Sequence, residues 1–164
     1  NNGHYIQLRQ LTYSSLTGSQ FTFFPFTLDA RKYWALDKKK RHIIAIQGVT
    51  QLTGGAPPFR SLALLGSESD MRGYYQGRVR DRQYASFQVE YRAYLGWRIG
   101  LAAFGGLGNV GYNPGDLFRT QPLPTYGGGL RLLINRRENI NLRLDYALGA
   151  NGSYGIYAFF GEAF

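Results

Sequence analysis

The side chains here that could do acid–base work are few. Asp29, Glu90 and Asp145 lie in alternating segments that also carry Arg31, Arg92 and Arg143, with Arg98 and Arg131 on neighbouring segments. Two carboxylates can share acid and base roles when their environments push their proton affinities apart. Carboxylates interleaved with guanidinium groups form salt bridges instead, and such ions must be paired once removed from water. The pattern reads as an ion network filling a narrow lumen, not as a catalytic pair. The chain has two histidines, His4 and His42, and no cysteine. A Ser-His-Asp triad, a thiolate nucleophile or a His- or Cys-based metal centre has little to draw on. We expect no enzymatic activity, no cofactor and no metal. Gly106-Leu107-Gly108-Asn109-Val110-Gly111 satisfies a dinucleotide fingerprint. The turn formers Asn113-Pro114-Gly115-Asp116 follow it, where that site needs a helix.

The elements that position these groups show a period of two, the signature of half-buried strands. Phe24, Phe26, Leu28 and Ala30 alternate with Pro25, Thr27, Asp29 and Arg31. Ile44, Ile46, Gly48 and Leu52 lie opposite Gln47 and Gln51, and Ala85, Phe87, Val89 and Tyr91 opposite Ser86, Gln88, Glu90 and Arg92. Further runs cover 97–103, 126–134, 140–148 and 154–164. A first strand near 4–14 alternates poorly. The total is eight strands in one domain over 1–164.

Composition agrees with strands. Aromatics make up 16% and glycines number 22, while no apolar run approaches the roughly 18 residues of a membrane helix. A barrel needs only strands that are half apolar. The connections alternate in length: 37–41, 93–96 and 135–138 are short, while 54–83 and 109–124 are long. Short periplasmic turns and long extracellular loops are the pattern of an outer-membrane barrel. The fold class expected is all-β, an antiparallel transmembrane β-barrel of eight strands per chain, in the outer membrane of a Gram-negative bacterium, with both termini periplasmic. Outer-membrane lipid would face the apolar side. Ile156, Phe160 and Phe164 share one face of the last segment and form an expected C-terminal barrel signal, with Glu162 off-pattern among them. Tyr33, Trp34, Tyr94 and Trp97 flank the short turns and suit an interfacial girdle. The net charge of +9 includes the turn runs Asp37-Lys38-Lys39-Lys40-Arg41 and Asn135-Arg136-Arg137-Glu138-Asn139, read as solvated turns. No nucleic-acid-binding signature accompanies them.

The loop at 54–83 contains Leu65-Gly66 and then Met71-Arg72-Gly73-Tyr74. This resembles the loop motif of the bacterial surface-antigen family, the BamA/TamA-type outer-membrane assembly barrels. Glu90-Tyr91-Arg92, Phe104 followed by Gly108-Asn109-Val110, and the terminal Phe164 are similar to that family too. The resemblance implies a long loop that enters the lumen, with Arg72 paired to an inner-wall acid. The family often carries Asp two residues after the Phe. Here that position is Gly106, which leaves Glu90 as the motif-matched partner. The chain corresponds to the C-terminal half of the family's 16-stranded barrel, without the periplasmic client-receiving domains.

An eight-stranded barrel has an interior filled by side chains. It has no room for a loop of about 30 residues as well. The loop folds over the mouth of a small closed barrel, or two chains combine, or the chain belongs to a longer protein. The weak first strand favours a homodimer through the seam of strands one and eight. Three functions follow: a scaffold or accessory in outer-membrane biogenesis working with the barrel assembly machinery, a small pore or lipid-binding barrel, and, least supported, a soluble basic sheet that binds nucleic acid.

Overall fold

A computed structural model describes residues 2–135 and 140–164. The turn run at 136–139 lies outside the described residues. Eight long strands form one antiparallel meander. They are β1 (Gly3–Gln10), β2 (Phe23–Ala35), β3 (His42–Gly55), β6 (Gln83–Gly96), β7 (Ile99–Gly111), β8 (Leu123–Asn135), β9 (Ile140–Gly149) and β10 (Tyr154–Phe160), paired in that order. Between β3 and β6 the long loop holds a small hairpin of β4 (Ala63–Leu65) and β5 (Val79–Asp81). A four-residue helix, α1 (Asp116–Arg119), sits in the loop between β7 and β8. The glycine-rich fingerprint at 106–111 lies inside β7.

Alternation sorts the side chains. On β6, Ser86, Gln88, Glu90 and Arg92 are buried, whereas Phe87, Val89 and Tyr91 are exposed. The outer face continues with Leu101, Leu107, Tyr126, Leu130, Leu144, Tyr146 and Ile156, all exposed. This apolar face and polar interior invert the arrangement of a water-soluble sheet and match a lipid-facing one.

The sheet does not close on itself. β1 and β10 are its two edges and pair only with β2 and β9. The expected closure is thus not seen, and the reason is volume: the loop lies on the inner face, where a closed eight-stranded ring would leave no space. The first strand is better defined than its sequence suggests. It pairs with β2 over its whole length, with Tyr5 opposite Arg31 and Ile6 opposite Ala30. Ile6 and Leu8 point outward, and the Arg31 guanidinium lies over the Tyr5 ring on the inner side.

Three placements differ from the sequence reading at the short-turn end, where both termini also lie. The strand ends at Phe160, and Gly161 adopts φ 92°, a left-handed turn that glycine permits. Phe164 therefore does not share the outer face with Ile156 and Phe160. It is 6% exposed and packs with Ala163, Ala45 and Tyr33 on the inner side. Tyr94 also faces inward, so that Trp34 and Trp97 alone of the four flanking aromatics are strongly exposed. Arg98 falls in the tight turn between β6 and β7, not on the inner wall.

The β2–β3 turn is capped by Asp37, whose Oδ1 accepts the backbone N–H of Arg41 at 2.7 Å and of His42 at 2.9 Å. These donors, His42 foremost, hold its pKa below the ordinary 3.8. A depressed carboxylate stabilises the fold above its ordinary value, and that contribution fades as pH falls through the lower folded value. The protection of the His42 amide, taken relative to intrinsic exchange at the same pH, is expected to fall on acidification below 3.8, and Asp37→Asn is expected to remove that pH dependence. Equal pH profiles for the two proteins would refute it.

Candidate functional site: an ion cluster that holds the inner loop

Arginine is the residue best able to bridge two carboxylates, because its planar guanidinium presents several donors in a fixed fork. Arg72, at the tip of the inner loop, is fully buried and uses this fork. Its Nη2 donates to Glu90 Oε2 at 2.5 Å and its Nη1 to Asp145 Oδ2 at 2.6 Å. Its guanidinium stacks 3.4 Å from the centroid of the Phe104 ring. Glu90 comes from β6, Phe104 from β7 and Asp145 from β9, so one side chain ties the loop to three strands. Glu90 lies where the motif places an acid. Asp145, from β9, is the second acid, and Gly106 on β7 supplies none. A side chain at Gly106 would meet Gln88 Cβ and Phe87 O at 2.8 Å, so the wall has no space there.

The cluster extends along the inner wall. Arg131 donates to Asp145 at 2.5 Å, to Glu162 at 2.9 Å and to Glu90 at 3.3 Å. Arg92 donates to Glu90 at 2.7 Å and to the Phe164 carbonyl oxygen at 2.8 Å. Arg143 lies 3.5 Å from Asp145 and donates to the Glu68 carbonyl at 2.6 Å. Asp29 and Arg31 form a separate pair at 2.5 Å, joined through Gln47 and Gln88 to the Ser69 carbonyl. Every acid and base expected on the inner wall except Arg98 is thus present there, in two connected groups.

The rest of the motif docks through backbone. Gly73 has φ 99°, and a Cβ there would lie 2.8 Å from the Leu148 backbone carbon. Its N–H donates to the Tyr157 hydroxyl at 2.8 Å and its carbonyl accepts from Ser153 at 2.6 Å. The Tyr74 hydroxyl donates to the Pro124 carbonyl at 2.6 Å and accepts from Ala150 N–H at 2.8 Å. The Thr125 hydroxyl donates to the Arg72 carbonyl. Met71 is buried in an apolar cluster with Leu65, Ala63, Tyr74 and Tyr84. Asp70 accepts from Ser86 and Tyr84. Sequence reasoning missed Tyr157, Ser153, Thr125 and Asp70. Their partners are distant in the chain, and only the inward parity of Thr125, Ser86 and Tyr157 hints at them.

The glycine-rich stretch of β8 makes this possible. A Cβ at Gly127 would meet Phe104 Cζ at 2.6 Å, and one at Gly129 would fall on the Asp145 carboxylate. Gly129→Val is expected to displace Asp145 and destabilise the fold by about 1–3 kcal/mol, the usual cost of overpacking. The urea midpoint of the heat-modifiable folded band measures this. An unchanged midpoint would mean that the wall tolerates a side chain there.

In chemical terms the site is a clamp. Its acids are saturated by guanidinium groups, and among the described residues no group of three or more His, Asp or Glu is arranged to hold a metal. A sheet that is apolar outside, ionic inside and plugged by its own loop defines an outer-membrane β-strand protein. The Omp85 superfamily domain matches residues 1–164, the whole chain, and the chain belongs to that family of outer-membrane protein assembly and translocation factors. No curated protein matches the chain in sequence.

Proposed function

We propose that the chain is a membrane-embedded scaffold in outer-membrane biogenesis, offering its edge strands to partner strands, with a second copy occupying them at rest. The observation that carries this is the pair of unpaired edges, β1 with eight residues and β10 with seven. About half the backbone groups of an edge strand point away from the sheet. In hydrocarbon each unsatisfied group costs several kcal/mol. Two bare edges would therefore cost tens of kcal/mol, far beyond the stability of any domain. Lipid cannot satisfy them, and another strand can. β1 and β10 run antiparallel in the meander, so the β1 edge of one copy fits the β10 edge of another, and two chains make a ring of sixteen strands.

In this reading the barrel sits in the outer membrane of a Gram-negative bacterium with its termini in the periplasm. A client strand displaces one partner edge, the barrel assembly machinery inserts the protein itself, and no catalytic step is involved. A pore role has less support, because the loop and the ion cluster occupy the inner face. Nucleic acid is disfavoured by the apolar outer face. The test is folding of an unrelated barrel into liposomes that contain the purified protein, alongside ion conductance across the same liposomes. Faster client folding is expected. Conductance without any effect on the client would sink the scaffold role.

A further inference from the structure

The inner face holds five cations, Arg31, Arg72, Arg92, Arg131 and Arg143, against five carboxylates, Asp29, Asp70, Glu90, Asp145 and Glu162. These cancel, so the whole net charge of +9 lies elsewhere. Much of it gathers at the short-turn end. Lys38, Lys39, Lys40, Arg41 and Arg98 are all exposed there, and none forms an ion pair among the described residues. The acid that precedes the lysine run, Asp37, is occupied by backbone N–H groups.

All of these cations but Lys38 border a cavity of about 480 Å³. Lys39, Lys40, Arg41 and Arg98 line it, and Trp97 and Ile99 carry it over to the apolar outer face; Arg92 and Glu162 line it as well, but the Glu162 carboxylate is already held by Arg131 and Arg92 of the ion cluster. Trp97 is 81% exposed, and Leu36 and Leu95 beside these turns are exposed too. A rim of cations above an apolar, aromatic surface at the end of a lipid-facing sheet has two chemistries side by side. Aromatic side chains settle at the membrane–water boundary, and cationic heads reach from apolar stems to the headgroup level. An anion that carries its own acyl chain satisfies both.

We propose that the short-turn end binds the phosphodiester headgroup of an anionic phospholipid, with Arg41 and Arg98 at the phosphate, Lys39 and Lys40 at the rim, and the acyl chain running over Trp97 and Ile99. The site needs neither edge pairing nor a client, so it stands or falls apart from the scaffold role. Each basic side chain near an anionic surface strengthens binding by about fivefold. The purified protein in detergent micelles is mixed with phosphatidylglycerol or phosphatidylcholine, and lipid retention is read by native mass spectrometry. Preferential retention of phosphatidylglycerol is expected. The variant Lys39→Gln, Lys40→Asn, Arg41→Gln, Arg98→Gln should reduce it by at least about tenfold. Single Arg98→Gln should reduce it by about fivefold, and serves if the fourfold variant does not fold. Arg60→Gln with Arg80→Gln, at the opposite end, should leave it unchanged. Equal retention of both lipids would overturn the proposal, as would loss with the loop-end variant, which would reduce the effect to net charge. Full competition by inorganic phosphate at equal concentration would overturn the lipid assignment in favour of a free anion.

Discussion

Arg72→Ala is expected to free the inner loop and to lower stability by about 3–5 kcal/mol, the cost of breaking a buried ion pair by removing one partner. The size follows from what is left behind. Glu90 and Asp145 keep their burial, and each loses a charge-assisted bond of 2.5–2.6 Å. Phe104 loses the guanidinium on its face. Arg131 still contacts both acids, so the wall remains paired while the loop does not. The effect should therefore concentrate in the loop. Limited proteolysis between Gly66 and Arg82 should accelerate, and the folded sheet should still migrate as a heat-modifiable band. Arg72→Lys should recover part of the loss at most, since an ammonium cannot fork to two carboxylates in the same plane. Unchanged protease sensitivity in Arg72→Ala would show that backbone docking at Gly73 and Tyr74 suffices.

Glu90→Ala is expected to cost as much, about 3–5 kcal/mol, by the opposite route. It leaves three guanidinium groups, those of Arg72, Arg92 and Arg131, short of a carboxylate. Arg92 also holds the Phe164 carbonyl, with its guanidinium 5.6 Å from the Phe164 ring centroid. The damage should reach the C-terminal tail as well as the loop. Hydrogen exchange should rise in 161–164 for Glu90→Ala and stay near normal for Arg72→Ala. Equal protection of the tail in both variants would separate Arg92 from the cluster. A Glu90→Ala, Arg72→Ala double variant should cost less than the sum, because the two share one contact.

Much of this arrangement was legible in the residues. The parity of β6 alone separates the lipid side from the ion side, and the inner positions of Asp29, Arg131, Arg143 and Asp145 follow from the same rule. The Arg72–Asp145 contact was not legible, because it spans 73 residues and period-two patterns carry no partner information. β1 was obscured by Tyr5, an aromatic on the inner face, which blurs an otherwise regular outward Ile6 and Leu8. Arg98 was misplaced because alternation runs without a break across the turn at Trp97, whose φ of 56° only the backbone reveals. The tail was misjudged for a related reason. Gly161 ends the strand, yet Phe160 and Phe164 keep the spacing of one that continues.

The clamp and the open edges belong together. In the proposed reading the loop fills the space that closure of one chain would need, and the edges it keeps apart take strands from outside. The most direct measurement is the protein mass of the purified particle in detergent, by light scattering with the detergent subtracted. Two copies of the 18.5 kDa chain per particle are predicted. A stable particle of one chain, with its edges paired to each other, would contradict the account.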